Sequence, residues 1–551
     1  MTGGEAVAAT LEALGVNHVF GIVSVHNLPV YDAIARRGNV TAVTVRHEQG
    51  AAHAADGFAR ATGGLGVAIT STGPGAANAM GGLFEAAFAS SPVLMITGQI
   101  ESTYLGKGRG ALPEAERQLD MLRAVTRSAV TVRRPADIPR TVAEAALDAL
   151  TGRPQPVAVE IPIDLQYAEA DVDIPAPTTL VPPRAVPDAA AVTRAAEALY
   201  AAERPLLWAG GGVLRAGAEG ALLALAEHLQ APVLTSLSGR GAIPEDHPLA
   251  VGAMPTAGPI AAVISEADVV LAVGTRFQGG DTRNWQLEIP GTLVHVDADP
   301  GVVDRNYRAA VPVIGDALPA LEGIAEELGG GAGCDAAFLQ RAQAAAEAAR
   351  TAARDLIGAD HAAVMDAIRE LAPRDANLVR DATVPAYLWG DRLLPVLEPR
   401  TSMRPASAAI GPGLPLGVGA ALGSGRPTVV IHGDGGIMLT LAELATAAEH
   451  NAPLTVCVFN DGGYGVLRAI QASRFEGRQT GVDLLTPDFV AVATAMGVTA
   501  ERVEGVEQFR AAFGRAMETT GPSLLDIDMA ALAPMGMFGR PRPAAGASGG
   551  A

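Results

Sequence analysis

The chain has 551 residues and a mass of 56.0 kDa, with 49% apolar, 18% charged and 4% aromatic residues. At about 150 residues per domain, this predicts three or four domains around large cores and excludes wholesale disorder. A net charge of −19 and a pI of about 5.0 argue against nucleic acid and against an anionic membrane surface as partners.

The opening Met1-Thr2-Gly3-Gly4-Glu5 has no basic region before an apolar stretch, so no export signal is expected. Residues 1 to 172 alternate helical patterns with short β-rich runs at 40–45, 66–70, 93–97 and 157–161. Turn residues follow each run, which predicts parallel βαβ units. After Phe20 comes Gly21-Ile22-Val23-Ser24-Val25-His26. His26 reads either as a proton relay or carbonyl holder, or as a satisfied structural histidine. Glu48 stands at the end of the run 40–45, before an Ala-rich helix. By composition it is a capping carboxylate or a salt-bridge partner of Arg46 or Arg60. Thr70-Ser71-Thr72-Gly73-Pro74-Gly75-Ala76-Ala77-Asn78 is a Gly-rich strand-to-helix turn that suits a phosphate or substrate loop. Lys107 is the only lysine. Its setting, Leu105-Gly106-Lys107-Gly108-Arg109, fits neither a P-loop nor a buried Schiff-base lysine.

A Pro-rich linker at 176–183 precedes a second α/β block at 188–328, with strands near 205–208, 232–235, 269–273 and 293–296. A Gly-rich linker follows at 329–333. Cys334 and Cys457 sit in no metal-ligand pattern, so neither a zinc site nor a disulfide framework is expected, and a reducing cytoplasm is the natural setting. No apolar run approaches the ~18 residues of a membrane span. The third block, 355–535, has strands near 427–431, 454–459 and 523–527. The tail 536–551 is expected to be mobile. The predicted fold is α/β: three doubly wound parallel-sheet domains, with ligands beyond the carboxyl ends of the strands.

The sharpest signal is in the third block. One strand runs into His432-Gly433-Asp434-Gly435-Gly436, and the next ends in Asn460-Asp461-Gly462-Gly463-Tyr464-Gly465. Successive strand ends of a parallel sheet lie side by side, so Asp434 and Asp461 are expected together. Two carboxylates and a backbone carbonyl make an all-oxygen site for Mg²⁺ or Ca²⁺. Gly435 and Gly436 leave N–H groups open at a helix start, where a phosphate fits.

These residues resemble the thiamine diphosphate (ThDP) enzymes of the acetolactate synthase, benzoylformate decarboxylase and benzaldehyde lyase group. That group's motif is Gly-Asp-Gly and, a strand later, Asn-Asn. The resemblance covers nearly the whole chain and names its domains pyrimidine-binding, central and diphosphate-binding. It implies Asp434, Asp461 and the Gly463 carbonyl as Mg²⁺ ligands, with Asp461 where the family usually has Asn. His47-Glu48 and the alanines and glycine behind it match the family's His-Glu-x-x-Ala-x-x-x-Ala-x-Gly-x-Ala, which implies that Glu48 bonds N1′ of the aminopyrimidine. Thr72, Pro74 and Asn78 fall on the loop beside that ring, and Ile410 matches the apolar wedge that bends the cofactor. Thr383, Gly433, Gly435, Gly436, Tyr464, Gly465 and Val466 fall on the remaining cofactor contacts. The substrate pocket implied is apolar and comprises Val25, His26, Ser71, Gln118, Leu467 and Ile470.

The departures narrow the reading. The acetolactate synthase Phe-Gln-Glu loop falls near Pro113-Glu114-Ala115, although Gln118 lies one turn on. The two histidines of benzoylformate decarboxylase fall on Ser71 and near Gly279 or Gly280. The flavin-contacting Gly-Met-His-Gly is replaced by Gly252-Ala253-Met254-Pro255-Thr256, so tightly bound FAD is not expected. The resemblance implies a cytoplasmic ThDP- and Mg²⁺-dependent carboligase or decarboxylase. It would act on 2-oxo acids or aldehydes through an enamine, as a homodimer or homotetramer with sites at the subunit interface. Alternatives are a benzaldehyde lyase- or benzoylformate decarboxylase-type lyase, an FAD-linked 2-oxo-acid oxidase, and an inactive partner subunit.

Overall fold

Runs of β-branched and aliphatic residues without polar alternation form strands buried on both faces, as parallel sheets covered by helices require. The computed structural model describes residues 1–177, 181–330 and 333–536. The expected tail beyond 536 and parts of both expected linkers (178–180 and 331–332) lie outside the described residues.

Among the described residues, eighteen strands build three six-stranded sheets. The first sheet contains β1 His18–Gly21, β2 Thr41–Thr44, β3 Gly66–Thr70, β4 Val93–Gln99, β5 Ser128–Thr131 and β6 Val157–Pro162. The second contains β7 Pro205–Ala209, β8 Val233–Thr235, β9 Ala250–Gly252, β10 Val269–Val273, β11 Thr292–Asp297 and β12 Val311–Ile314. The third contains β13 Asn377–Arg380, β14 Ser402–Met403, β15 Thr428–Gly433, β16 Leu454–Asn460, β17 Thr499–Val503 and β18 Ser523–Asp528. Every pairing within the sheets is parallel.

The first and third sheets share one topology: β2-β1-β3-β4-β6-β5 and β14-β13-β15-β16-β18-β17. The middle sheet differs, running β12-β11-β10-β7-β8-β9, which is the order of a dinucleotide-binding sheet. Each sheet has two apolar layers, one per face. Val430, Val456 and Val458 pack on one face of the third sheet, while Val429, Ile431, Cys457 and Phe459 pack on the other. That alternation is the period of two expected of a strand. Helix Ala336–Leu371, broken at Gly358 (φ 77°), packs its first part on the middle domain through Phe338, Ala342 and Ala346. Its second part packs on the third domain through Val364, Met365 and Ile368. No described helix is long and apolar enough to cross a membrane.

In such sheets the crevice for ligands opens where the strand order reverses. The reversal falls between β1 and β3 in the first sheet and between β13 and β15 in the third. The loops leaving these strands carry Val25 and His26, Ser71 to Asn78, Asp381 to Thr383, and Asp434.

Candidate active site

In the third domain, β15 and β16 run in register, with Gly433 opposite Phe459, so both chains leave the sheet at the same edge. Asp434 opens a single helical turn, Asp434–Ile437. A longer helix, Glu443–Glu449, follows in the chain. The backbone N–H of Asp461 donates to Asp434 Oδ1 at 3.4 Å. Asp434 Oδ2 is buried and has no hydrogen-bond partner among the described residues. Burial, and then the charge of Asp461, pushes the Asp434 carboxyl up to about 7. Burial also raises Asp461, opposed by the Arg468 guanidinium.

The Gly463 carbonyl lies 3.1 Å from where a Cβ on Gly435 would stand, and its loop is pinned by a short antiparallel bridge. Tyr464 N–H donates to the Val482 carbonyl at 2.8 Å, and Leu484 N–H donates to the Gly462 carbonyl at 3.0 Å. Gly463 has φ 149°, and a Cβ there would lie 2.0 Å from Val482 O, so only glycine fits. Gly433, Gly435 and Gly436 form a cradle that a methyl group would fill. Their added Cβ atoms would meet Thr383 Oγ1 at 2.8 Å, Tyr464 Cδ1 at 2.8 Å and Asp381 Oδ2 at 2.5 Å. An orphaned buried carboxylate oxygen, a second carboxylate and a fixed carbonyl fit a hard divalent cation. The three glycines let Thr383, Tyr464 and Asp381 approach the turn beside them.

In the first domain, Glu48 is the first residue of helix Glu48–Thr62. His47 caps that helix, its side chain accepting from Gln49 N–H. Glu48 Oε2 accepts from Asn78 Nδ2 at 2.9 Å, and a Cβ on Gly75 would lie 3.1 Å from Glu48 Oε1. The structure thus brings Glu48 onto the Ser71–Asn78 turn. The expected ion pairs with Arg46 or Arg60 are not what holds it: Arg46 pairs with Glu449, and Arg60 with Asp56 and Glu85.

The two domains interlock within one chain. Helix Glu48–Thr62 lies on helix Gly413–Ser424 so closely that a Cβ on Gly419 would sit 1.8 Å from Ala54 O. Glu443, in the third domain, accepts from Arg46 N–H at 3.1 Å and His47 N–H at 3.2 Å, and from Thr446 Oγ1 at 2.6 Å. Glu85, in the first domain, accepts from Ala406 N–H at 2.6 Å and Ser407 N–H at 3.0 Å. Asp381 accepts from Gly411 and Gly413 N–H. Ile410 lies between these two anchored points and is 39% exposed, so it projects from the loop instead of joining the core. Among the described residues no hydrogen bond or ion pair joins Glu48 to Asp434 or Asp461 in the chain.

The remaining expected residues divide. Val25, Leu467 and Ile470 are exposed, whereas Val466 packs partly against the third-domain core. His26 is half-buried. Its carbonyl accepts from Gln166 Nε2 at 2.8 Å, and burial lowers its imidazole. Ser71 lines the Glu48 turn, and Thr72 is buried beneath it. Gln118 departs from expectation. It is 1% exposed, its Oε1 accepts from Thr72 Oγ1 and Gly73 N–H, and its Nε2 donates to the Gly98 carbonyl and Glu160. Gln118 therefore supports the turn from below and offers no free amide to a pocket. Glu443, Glu85 and Arg468 had no local signal, because the groups they hold are distant in sequence or lie on the far side of a turn.

A cavity of about 320 Å³ opens at the strand-order reversal of the middle sheet, between β7 and β10. Gly211, Arg215, Gly274, Arg276 and Asp297 are among the residues lining it.

Three doubly wound domains, with a two-carboxylate crevice at the reversal point of the last, define a cofactor-dependent α/β enzyme. Comparison with known proteins is more specific. Residues 1–121 match the thiamine pyrophosphate enzyme N-terminal TPP binding domain. Residues 192–324 match the central domain, and 385–527 the C-terminal TPP binding domain. The chain belongs to the thiamine pyrophosphate (that is, thiamine diphosphate) enzymes. It is 37% identical over 539 residues to a probable 2-ketoarginine decarboxylase of Pseudomonas aeruginosa, covering 96% of this chain and 94% of that one. It is 34% identical over 553 residues to a probable acetolactate synthase large subunit of Methanocaldococcus jannaschii (96% and 92%). It is also 34% identical over 557 residues to the acetolactate synthase large subunit of Corynebacterium glutamicum (96% and 86%).

Proposed function

We propose that the protein is a ThDP- and Mg²⁺-dependent enzyme that breaks or forms a carbon–carbon bond at the carbonyl of a 2-oxo acid, as a decarboxylase or acetolactate synthase-like carboligase. The observation that carries this reading is Asp434, a buried carboxylate with one orphaned oxygen, set beside Asp461 and the Gly463 carbonyl. When bound, ThDP supplies the carbon nucleophile and the electron sink. The protein residues supply binding, orientation and one proton.

Asp434, Asp461 and the Gly463 carbonyl would hold Mg²⁺ against the diphosphate, with Thr383, Gly433, Gly435, Gly436, Tyr464 and Gly465 around it. Glu48 would share its proton with ring atom N1′, and the Asn78 amide holds its Oε2 in place. A carboxyl group in contact with a weakly basic ring nitrogen is the general acid–base pair this chemistry needs. Ile410, anchored on both sides, is the apolar residue that would bend the cofactor. His26, half-buried on the loop after β1, is a candidate to relay a proton or to hold a substrate carbonyl.

The family resemblance extends the reading to a homodimer or homotetramer whose sites are completed by a neighbouring subunit. Exposed Val25, Leu467 and Ile470 favour a substrate with an alkyl or aryl side chain. The FAD-linked alternative has in its favour only the middle-domain cavity, and visible flavin absorbance in the purified protein would support it.

The test is a screen of pyruvate, 2-ketoarginine, benzoylformate, benzoin and acetoin with ThDP and Mg²⁺, scoring CO₂ and carbonyl products separately. The proposal expects CO₂ from a 2-oxo acid. Turnover of none of the five by protein with ThDP bound would count against it.

A further inference from the structure

The Asp434–Asp461 group places two carboxylates in a buried crevice and, on the reading above, asks them to face a diphosphate. Like charges at close range in a poorly solvated site repel strongly unless a counter-charge is fixed nearby. The structure contains such a charge. Arg468, on helix Gly465–Arg474, donates from Nη1 to Asp461 Oδ2 at 3.2 Å and from Nε to Asp483 Oδ1 at 3.1 Å. Its side chain is 14% exposed. Its Nη2 is buried with no hydrogen-bond partner among the described residues, and lies 3.1 Å from where a Cβ on Gly463 would stand. The guanidinium is therefore packed against the same loop that presents the Gly463 carbonyl. It is held there by Asp483, on the strand segment that bridges Gly463.

We propose that Arg468 is a positioning residue and fixed counter-cation for Asp461. It holds the carboxylate in place and cancels its charge, so that an acidic residue at this position remains compatible with binding the diphosphate. The inference rests on the proposed ThDP–Mg²⁺ site and concerns only this chain's own residues toward it. Its consequence is specific: the contribution of Arg468 to cofactor affinity exists only while residue 461 is acidic.

Calorimetric titration of ThDP into metal-saturated protein reads this directly, without turnover. Four proteins form a double-mutant cycle: wild type, Arg468→Met, Asp461→Asn and the double variant. Arg468→Met is expected to weaken ThDP binding about tenfold, whereas the same change on the Asp461→Asn background shifts it less than about threefold. Arg468→Lys keeps the charge and is expected to stay within about threefold of wild type. Arg468→Gln keeps a hydrogen-bond donor without the charge, and is expected to lose as much as Arg468→Met. It also serves as the deciding variant should Arg468→Met fail to fold.

Equal losses in both backgrounds would overturn the proposal, because Arg468 would then act on the diphosphate itself or on the fold. Wild-type affinity in Arg468→Gln would overturn it as well. Failure of the wild-type protein to bind ThDP with Mg²⁺ would overturn the reading of the site and this inference with it, a result distinct from the other two.

Discussion

Glu443 and His47 belong to different domains, yet the Glu443 carboxylate accepts the His47 backbone N–H at 3.2 Å. His47 caps the helix that begins with Glu48. The helix of Glu443 follows the Asp434 turn in the chain. The third domain therefore fixes the direction in which the first domain presents Glu48, through a carboxylate that is 2% exposed.

Glu443→Ala leaves the N–H groups of Arg46 and His47 and the Thr446 hydroxyl without their acceptor. A buried group left unsatisfied costs about 1–3 kcal/mol, so thermal unfolding should shift down by several degrees. Glu443→Gln keeps one acceptor oxygen and should fall between the variant and wild type. Equal melting temperatures for all three proteins would show that the carboxylate does not hold the turn.

Gln118 bears the same kind of prediction within the first domain. If it supports the Thr72–Gly73 turn from below, Gln118→Leu should destabilise the protein by about 1–3 kcal/mol and loosen the loop carrying Asn78. Hydrogen exchange at residues 72 to 78 should rise. A variant with unchanged stability and exchange, but altered substrate preference, would return Gln118 to the pocket wall.

Asp297, at the end of β11 and lining the middle-domain cavity, is raised to about 6 by burial. An unfolded aspartate titrates near 3.9, so between about pH 4 and 6 the folded state binds more protons than the unfolded one, and stability falls as pH rises. The loss is complete above about pH 6 and amounts to about 2–3 kcal/mol. Asp297→Asn keeps the acceptor for the Asp299 N–H. It should raise the melting temperature near neutrality and leave it unchanged near pH 4. A shift of equal size at both pH values would assign the effect to packing.

The sequence made the fold legible at most strands buried on both faces, although buried β9 and β13 were missed and the half-exposed β2 was read. β3, β4, β6, β7, β10, β11, β15, β16 and β18 read as mainly apolar runs, with Glu160, His295 and Asp526 among the charged or titratable interruptions inside them. Edge strands were harder: β5, β12 and β17 are partly exposed, and β14 has two residues. A half-solvated edge carries polar residues and loses the apolar signal. The crevice residues Asp434 and Asp461 were legible because adjacency of strand ends follows from parallel order alone. Glu48 was legible as a carboxylate at a strand end, but its partner Asn78 was not, since their contact depends on how a helix start meets a neighbouring turn. Glu443, Glu85 and Arg468 were illegible for the same reason. Each reaches its target through three-dimensional packing between segments that no local pattern connects. The burial of Gln118 was illegible because its spacing from Pro113 says nothing about which way the side chain points.

In the proposed reaction the Glu48 carboxyl primes a cofactor anchored through Asp434 and Asp461. Proton–deuterium exchange at C2 of protein-bound ThDP tests it most directly, in wild type and in Glu48→Gln, with binding of ThDP checked in both. A positioned general acid–base is worth about 10²–10⁴ in rate, so Glu48→Gln should bind the cofactor yet exchange at least about a hundredfold more slowly. Exchange at the wild-type rate in the fully loaded variant would contradict the claim.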